Sequence, residues 1–316
     1  MRLYPYVVSM LITIACGGDT SGPGPVDPEP IAGRWLQGMV YDEARSVLLV
    51  FGGSRINGTT GVFFNDLWSW NGTTWTQIAT PTAPSARDEM LLVYDASRQR
   101  VVLHGGRDNT GSLTDTWEWD GTAWQQKATS GPPARKHAGG GYDRTRARTV
   151  LYGGQTPSDV VLTDTWEWDG STWSQRATTR PSPLDAPTNP VFDAARNALV
   201  MLVGSFSSGP TEMWQWNGSA WASIGAGPTT SLPNSIAVIG PSNVLMYDTS
   251  GSTATTWQWN GATWSNLGVT SPARRFAASM GYDQGRSRIV LFGGSLGSAY
   301  VSETWTFASG AWSQVP

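Results

Sequence analysis

Four arginines recur at one place in a repeating chain. Arg34, Arg87, Arg135 and Arg275 each stand seven residues before a Tyr-Asp or its equivalent: Tyr41-Asp42, Tyr94-Asp95, Tyr142-Asp143 and Tyr282-Asp283. An arginine fork binds a carboxylate or phosphate through two parallel hydrogen bonds. A ring of such forks, extended by Arg55 and Arg107 just after Gly-Gly pairs, would make a rim that attracts an anionic ligand such as a carboxylated sugar. The same arginines could instead fasten their own loops to backbone carbonyls, and the pattern alone leaves both readings open. A second set (Arg45, Arg98, Arg100, Arg144, Arg146, Arg148, Arg286 and Arg288) lies in short turns after the Tyr-Asp pairs. Solvated residues paired with those aspartates are expected there.

Other chemistries are thinly supplied. The chain has two histidines. His104 fills the slot held elsewhere by Phe51, Tyr152 and Phe292, so packing is expected of it. His137 lies two residues after Arg135, and a structural role is expected there too. Two isolated histidines with no cysteine in the body do not make a zinc site, so neither metal nor cofactor is expected. Asp66, Asp115 and Asp164 sit at fixed repeat positions, which favours hydrogen bonds to backbone over general acid work. No Ser/His/Asp set, phosphate loop or paired carboxylates stand out, so a non-enzymatic role is expected. A net charge of −3 gives no reason to expect nucleic-acid binding. The single cysteine, Cys16, excludes an internal disulfide.

Residues 1–15 read as a secretory signal. Arg2 supplies the positive start, and residues 7–15 form an apolar run too short to span a bilayer. Residues 17–30 (GGDTSGPGPVDPEP) carry almost no apolar side chain, so 16–30 reads as an extended tether. Leu11-Ile12-Thr13-Ile14-Ala15-Cys16 resembles the lipobox of bacterial lipoproteins, although Thr13 stands where that family usually has Leu. The resemblance implies a lipidated Cys16 that anchors the chain to a membrane. Gly17 after the cysteine implies export to an outer membrane or cell surface. A plain signal peptide, giving a periplasmic or secreted protein, is the alternative.

What must position these residues is a repeated unit. The motif Trp-x-Trp-[Asn/Asp]-Gly-x-x-Trp begins at Trp68, Trp117, Trp166, Trp214 and Trp257, with a looser copy at Trp305. Successive copies lie 43 to 49 residues apart. Of 18 tryptophans, 17 fill these slots, which makes them core; only Trp35 remains as a candidate sugar platform. Residues two apart on a strand share a face. The motif therefore predicts a half-buried strand, with Trp117 and Trp119 inward and Thr116 and Glu118 outward. Asn-Gly or Asp-Gly predicts a two-residue type I′ turn. Upstream, each unit has the Tyr-Asp turn and an apolar strand ending in Gly-Gly, as in 47–53. Units four and five lack the arginine. Four strand signals per unit at this period predict a propeller. We label the strands a to d from the axis outward.

The Gly-Gly pairs, Tyr-Asp turns and spaced aromatics resemble the kelch repeat in its bacterial form, over 31–316. The resemblance implies an all-β, six-bladed propeller of four-stranded antiparallel blades. Many kelch propellers close by lending a strand from one terminus to the other blade; no such swapped strand is identifiable here. The b–c loops (54–65, 107–114, 155–163, 205–211 and 295–302) share little sequence, and variable loops on a repeated scaffold are where binding is expected. The leading expectation is a surface-tethered, non-enzymatic module for a protein or glycan ligand. Among kelch-type enzymes, the copper radical oxidases need a Tyr-Cys crosslink and histidine ligands absent here. A sialic acid mutarotase-like enzyme and a purely structural envelope component are the alternatives.

Overall fold

The structure, a computed structural model, describes residues 31–58, 60–176, 186–187, 189–204, 211–228, 235–238 and 243–316. The segments read as signal (1–15) and tether (16–30, with Cys16), and nearly all of loop 205–211, lie outside the described residues. The body is a six-bladed β-propeller, with each blade an antiparallel meander. Blade 1 runs Gly38–Asp42, Val47–Phe51, Leu67–Trp70, Trp75–Ile78. Blades 2, 3, 5 and 6 repeat it from Leu91–Asp95, Gly139–Asp143, Ser235–Val238 and Ser279–Asp283. In blade 4 the inner strand is split, and Ala186–Pro187 and Val191–Asp193 both pair with Ala198–Gly204. Inner strands touch their neighbours all the way round, including the first against the last.

Strand b is apolar on both faces because both are covered. Leu48, Leu49, Val50 and Phe51 are buried between strands a and c and the flanking blades, as are their counterparts in other blades. Neighbouring blades meet in a repeated aromatic step. The third Trp of one blade packs on the ring that ends strand b of the blade before it. The pairs are Trp75 on Phe292, Trp124 on Phe51, Trp173 on His104, Trp221 on Tyr152 and Trp312 on Tyr247. His104 is thus a packing disc, bonded through Nδ1 to Thr116 Oγ1 at 3.0 Å. Burial, with help from the Arg135 charge, pushes its pKa down to about 3, so the ring is neutral.

Three details depart from the sequence expectation. Strand c is not half-exposed: Thr116, Glu118, Thr165 and Glu167 are all buried. Their polar groups accept the indole N–H groups of the following blade. Trp173 donates to Thr116 and Trp221 to Thr165, at 2.9 and 3.0 Å, while Trp168 donates to Glu118 and Trp216 to Glu167, at 2.8 and 3.2 Å. The face reads as polar because its neighbour is an indole edge rather than water. The indoles are also buried unequally. The middle one is fully enclosed in blades 1 to 5, whereas Trp117, Trp166, Trp257 and Trp305 are only half-buried.

In blades 1 to 5 the c–d turns are not two-residue type I′ turns; blade 6, where Ala308 pairs with Ala311, has the two-residue loop Ser309-Gly310 with φ of 52° and 80°. Trp70 pairs with Trp75, which leaves a four-residue loop. Asn71 Oδ1 accepts the amides of Thr73 and Thr74 at 2.9 and 3.0 Å, so a side chain closes the turn. Only the glycine then needs positive φ, +98° at Gly121. A Cβ there would also strike the Arg45 guanidinium of the blade before. Bonds from Thr122 and the amides of 122 and 123 hold Asp120, the same cap in blade 2, down to about 2.

Ring closure needs no exchanged strand. Gly53 N donates to Arg87 O at 2.9 Å and Gly106 N to Arg135 O at 3.3 Å, and at the closing seam Gly294 N donates to Arg34 O at 2.8 Å. Gln37 Nε2 to Phe292 O and Ser279 Oγ to Gln37 O, at 3.0 and 2.6 Å, add to that seam.

Candidate functional site

The four recurring arginines are built into the wall. Each is at most 1% exposed. Arg87 Nε donates to Ser85 O at 3.0 Å and Nη1 to Gly105 O at 3.0 Å, while the fork takes both oxygens of Asp115 at 2.6 and 2.8 Å. Arg34 makes the same set with Ala32 O, Gly52 O and Asp66, and Arg135 with Pro133 O, Gly153 O and Asp164. Arg275 repeats it with Ala273 O, Gly293 O and Glu303. The expected ligand rim of Arg34, Arg87, Arg135 and Arg275 is therefore corrected. Their forks are enclosed and already carry carboxylates and carbonyls, so they fasten the loops that enter blades 1, 2, 3 and 6.

The acids before the Trp pairs complete the clamp. Asp66, Asp115, Asp164 and Glu303 also accept the indole N–H of Trp68, Trp117, Trp166 and Trp305, at 2.7, 2.6, 2.6 and 3.0 Å. Side chains are thus their main partners, and at Asp115 and Asp164 a bond from the residue's own backbone amide, of the kind the sequence suggested, adds to them. Burial pushes Asp115 and Asp164 up, but the arginine bond and charge and the indole outweigh it and hold both below the usual carboxylate range. The turn arginines on the opposite face pair with Tyr-Asp carboxylates: Arg45 with Asp42, Arg98 with Asp95 and Arg146 with Asp143, at 2.8 Å each. They also brace the next blade, as Arg45 reaches Asp120 O and Arg288 reaches Gly72 O.

What lines the mouth of the ring instead is the residue two after each buried arginine. Leu36, Glu89, His137 and Ala277 all adopt left-handed backbone, with φ of 58°, 57°, 58° and 51°. Leu36 N donates to Ala277 O and Glu89 N to Leu36 O, at 3.0 and 3.1 Å, linking blades 6, 1 and 2 around the axis. Recurrence of this strain in four blades marks it as scaffold. The side chains it presents differ, and between blades 2 and 3 they are an acid and an imidazole. His137 Nε2 lies 3.2 Å and Arg107 Nη2 3.1 Å from Glu89 Oε1. Arg107 Nε and Ser54 Oγ donate to Asp88 at 3.0 and 2.7 Å.

The two adjacent acids are pushed opposite ways. Burial first, then the Glu89 charge, raises Asp88 to about 6 against the pull of Arg107 and Ser54. Burial also acts to raise Glu89, but the His137 bond and the charges of His137, Arg107 and Lys136 outweigh it and leave Glu89 lowered. Arg107, one of the expected rim residues, does stand here, about a third exposed and between both acids. Asp88 and Glu89 are carboxylates that the sequence reading missed. The available signal was local: only in this unit does the arginine lead directly into Asp-Glu.

The b–c loops rise beyond this mouth. Blade 1 projects a hairpin, Ser54–Asn57 paired with Thr60–Phe63, and blade 2 a shorter one, Arg107–Asp108 with Gly111–Ser112. Among the described residues the exposed large hydrophobics are Ile56, Val160, Val161 and Leu296, at 48, 59, 38 and 40%. All four belong to b–c loops. Arg55, the remaining expected rim residue, lines a cleft of about 290 Å³ with Gly33, Ile56, Asn57 and Tyr300. Trp35, the one Trp outside the repeat slots, backs this cleft with its ring 5.6 Å from that of Tyr300. No protein-family model matches the chain, and no curated protein matches it.

Proposed function

We propose that the chain is a bacterial kelch-type propeller acting as a non-enzymatic binding module, with the b–c loop face as its binding surface. In this reading the ligand is a protein or glycan of the cell envelope. The lipobox-like Cys16 and the Pro/Gly tether hold the module at an outer membrane or cell surface. The observation that carries the reading is the placement of exposed apolar side chains. Ile56, Val160, Val161 and Leu296 come from three different blades, yet all sit on one face. Scattered exposed hydrophobics are ordinary; confinement to variable loops on one end of a rigid ring is what a binding face requires.

The test uses the full chain, isolated from its membrane fraction in mild detergent, against immobilised envelope proteins and glycans. A Val160→Asp/Val161→Asp/Leu296→Asp variant is expected to lose capture by about tenfold or more at an unchanged melting temperature. A parallel Cys16→Ser variant is expected to leave the membrane fraction while keeping capture. Full capture by the triple variant would sink the binding-face reading, and continued membrane retention of Cys16→Ser would sink the anchor.

A further inference from the structure

We infer that the cleft between the b–c loops of the first and last blades binds a single carboxylate-bearing sugar residue, with Arg55 taking the carboxylate. The inference rests on the b–c face being the binding face and names the ligand chemistry of one part of it. Ring closure creates the cleft by bringing residues 55–57 beside Tyr300. Gly33, in the segment that enters blade 1, packs directly against the last of these loops, because a Cβ there would strike the Tyr300 carbonyl oxygen.

Arg55 differs from every other described arginine. Each of the others has a carboxylate or carbonyl oxygen within hydrogen-bonding distance. Among the described residues Arg55 has only the ring of Phe64, 5.6 Å from its Cζ, and its Nε is buried without an acceptor. Asp66, the nearby acid, is already held by Arg34. A guanidinium with a buried unpaired N–H, facing a cleft, calls for an oxygen acceptor from outside, and a carboxylate matches its fork best.

The rest of the lining selects the carrier of that carboxylate. Tyr300 is fixed by its edge contact with Trp35, whose Nε1 donates to Ser54 Oγ at 3.0 Å. The apolar C–H face of a pyranose packs on such a wall, while Asn57 and the Tyr300 hydroxyl supply donors and acceptors for ring hydroxyls. The volume of about 290 Å³ lies at the low end for small-molecule sites, which suits one sugar ring.

Titration calorimetry of the full chain with methyl β-D-glucuronide, methyl β-D-glucoside and N-acetylglutamate methylamide tests this. The glucuronide is expected to saturate one site and to bind about tenfold or more tighter than either of the others. Arg55→Gln is expected to lose that preference, and Arg55→Lys to recover only part of it, since an ammonium has charge but no planar fork. Arg55 is partly exposed, so both variants are expected to melt as the parent does. Equal binding of glucoside, equal binding of the glutamate compound, an indifferent Arg55→Gln, or no glucuronide binding would each overturn the inference. If envelope capture still depends on Val160, Val161 and Leu296 while the glucuronide fails, the sugar site falls and the binding face stands.

Discussion

The seam between blades 2 and 3 and the seam between blades 1 and 2 use the same strands but differ in the two side chains that face the indoles. In the first, Thr116 and Glu118 accept the indoles of Trp173 and Trp168, and Glu118 also takes Arg98 at 2.6 Å. In the second, the same places hold Leu67 and Ser69, and the buried N–H groups of Trp124 and Trp119 have no acceptor. An unpaired buried donor costs about 1–3 kcal/mol. Burying Leu67, which joins Phe51, Trp119 and Trp124 in one apolar cluster, contributes about as much. Apolar area and the aromatic step shape the seam, and the indole bonds add to it where an acceptor is present. In blade 5 Trp264 is likewise unpaired, with Met213 at the acceptor place in blade 4, whereas the middle indoles Trp70 and Trp259 are unpaired although Thr306 and Gln215 hold the place of Glu118.

The sharpest way to break the comparison is to remove the charged acceptor of the first seam. Glu118→Ala leaves the Trp168 indole without an acceptor and Arg98 with Asp95 alone, and a loss of about 2 kcal/mol is expected in denaturant unfolding. Ser69→Ala, at the matching place in blade 1, is expected to stay within about 0.5 kcal/mol. Equal losses would show that the polar links do not distinguish the two seams.

The acids of the same two seams respond oppositely to pH. Asp88 joins blade 1 through Ser54, and its folded pKa is raised from 3.8 to about 6. Its folded form keeps a proton that the unfolded chain has released, so its contribution falls as pH rises from about 4 to about 6, by up to about 2 kcal/mol. Glu89 reaches into blade 3 through His137, and its pKa is lowered. Its contribution is present above the ordinary carboxylate value and is lost as pH drops through the depressed one. Melting temperatures of Asp88→Asn between pH 4 and 6 are expected to lack the fall contributed by Asp88; a wild-type slope in the variant would refute the assignment.

The smallest effect is the most direct. Thr and Val have nearly the same shape, so Leu67→Thr and Leu67→Val differ chiefly by one hydroxyl. The Thr variant is expected to be more stable by about 1 kcal/mol because Trp124 gains an acceptor. Thr116→Val is expected to lose more, about 2 kcal/mol, because Thr116 Oγ1 serves both Trp173 and His104. A Val variant at position 67 equal to the Thr variant would mean that the indole finds no partner there.

Local periodicity made the ring legible. Six Trp motifs, the apolar strands ending in Gly-Gly and the Tyr-Asp turns place the blades and their strand order, since each is a contact within some fifty residues of chain. What did not read out was whatever depends on the neighbour. The outward face of strand c looked solvated because Thr and Glu are polar, although their partners are indoles one unit away. The repeating arginines suggested a rim because nothing in the spacing tells a fork that meets Asp66 from one that meets solvent. Glu89 with His137, and Arg55 beside Tyr300, join residues of different blades, and the second pair meets only where the ring closes. Both became visible once the loops at the axis and at the closing seam were placed.

That closing seam has a consequence for how such a protein arises. Each of its links recurs at one or more interior seams: glycine amide to arginine carbonyl, aromatic on aromatic, indole to threonine, where Trp75 donates to Thr304 at 2.9 Å. Covalent continuity is therefore not what joins one blade to the next; the chain only delivers each blade to a surface already made to receive it. A duplicated unit would arrive with both of its own faces, able to meet copies of itself on either side. Such a ring lengthens by copying a gene segment, and its loops then diverge without disturbing the seams.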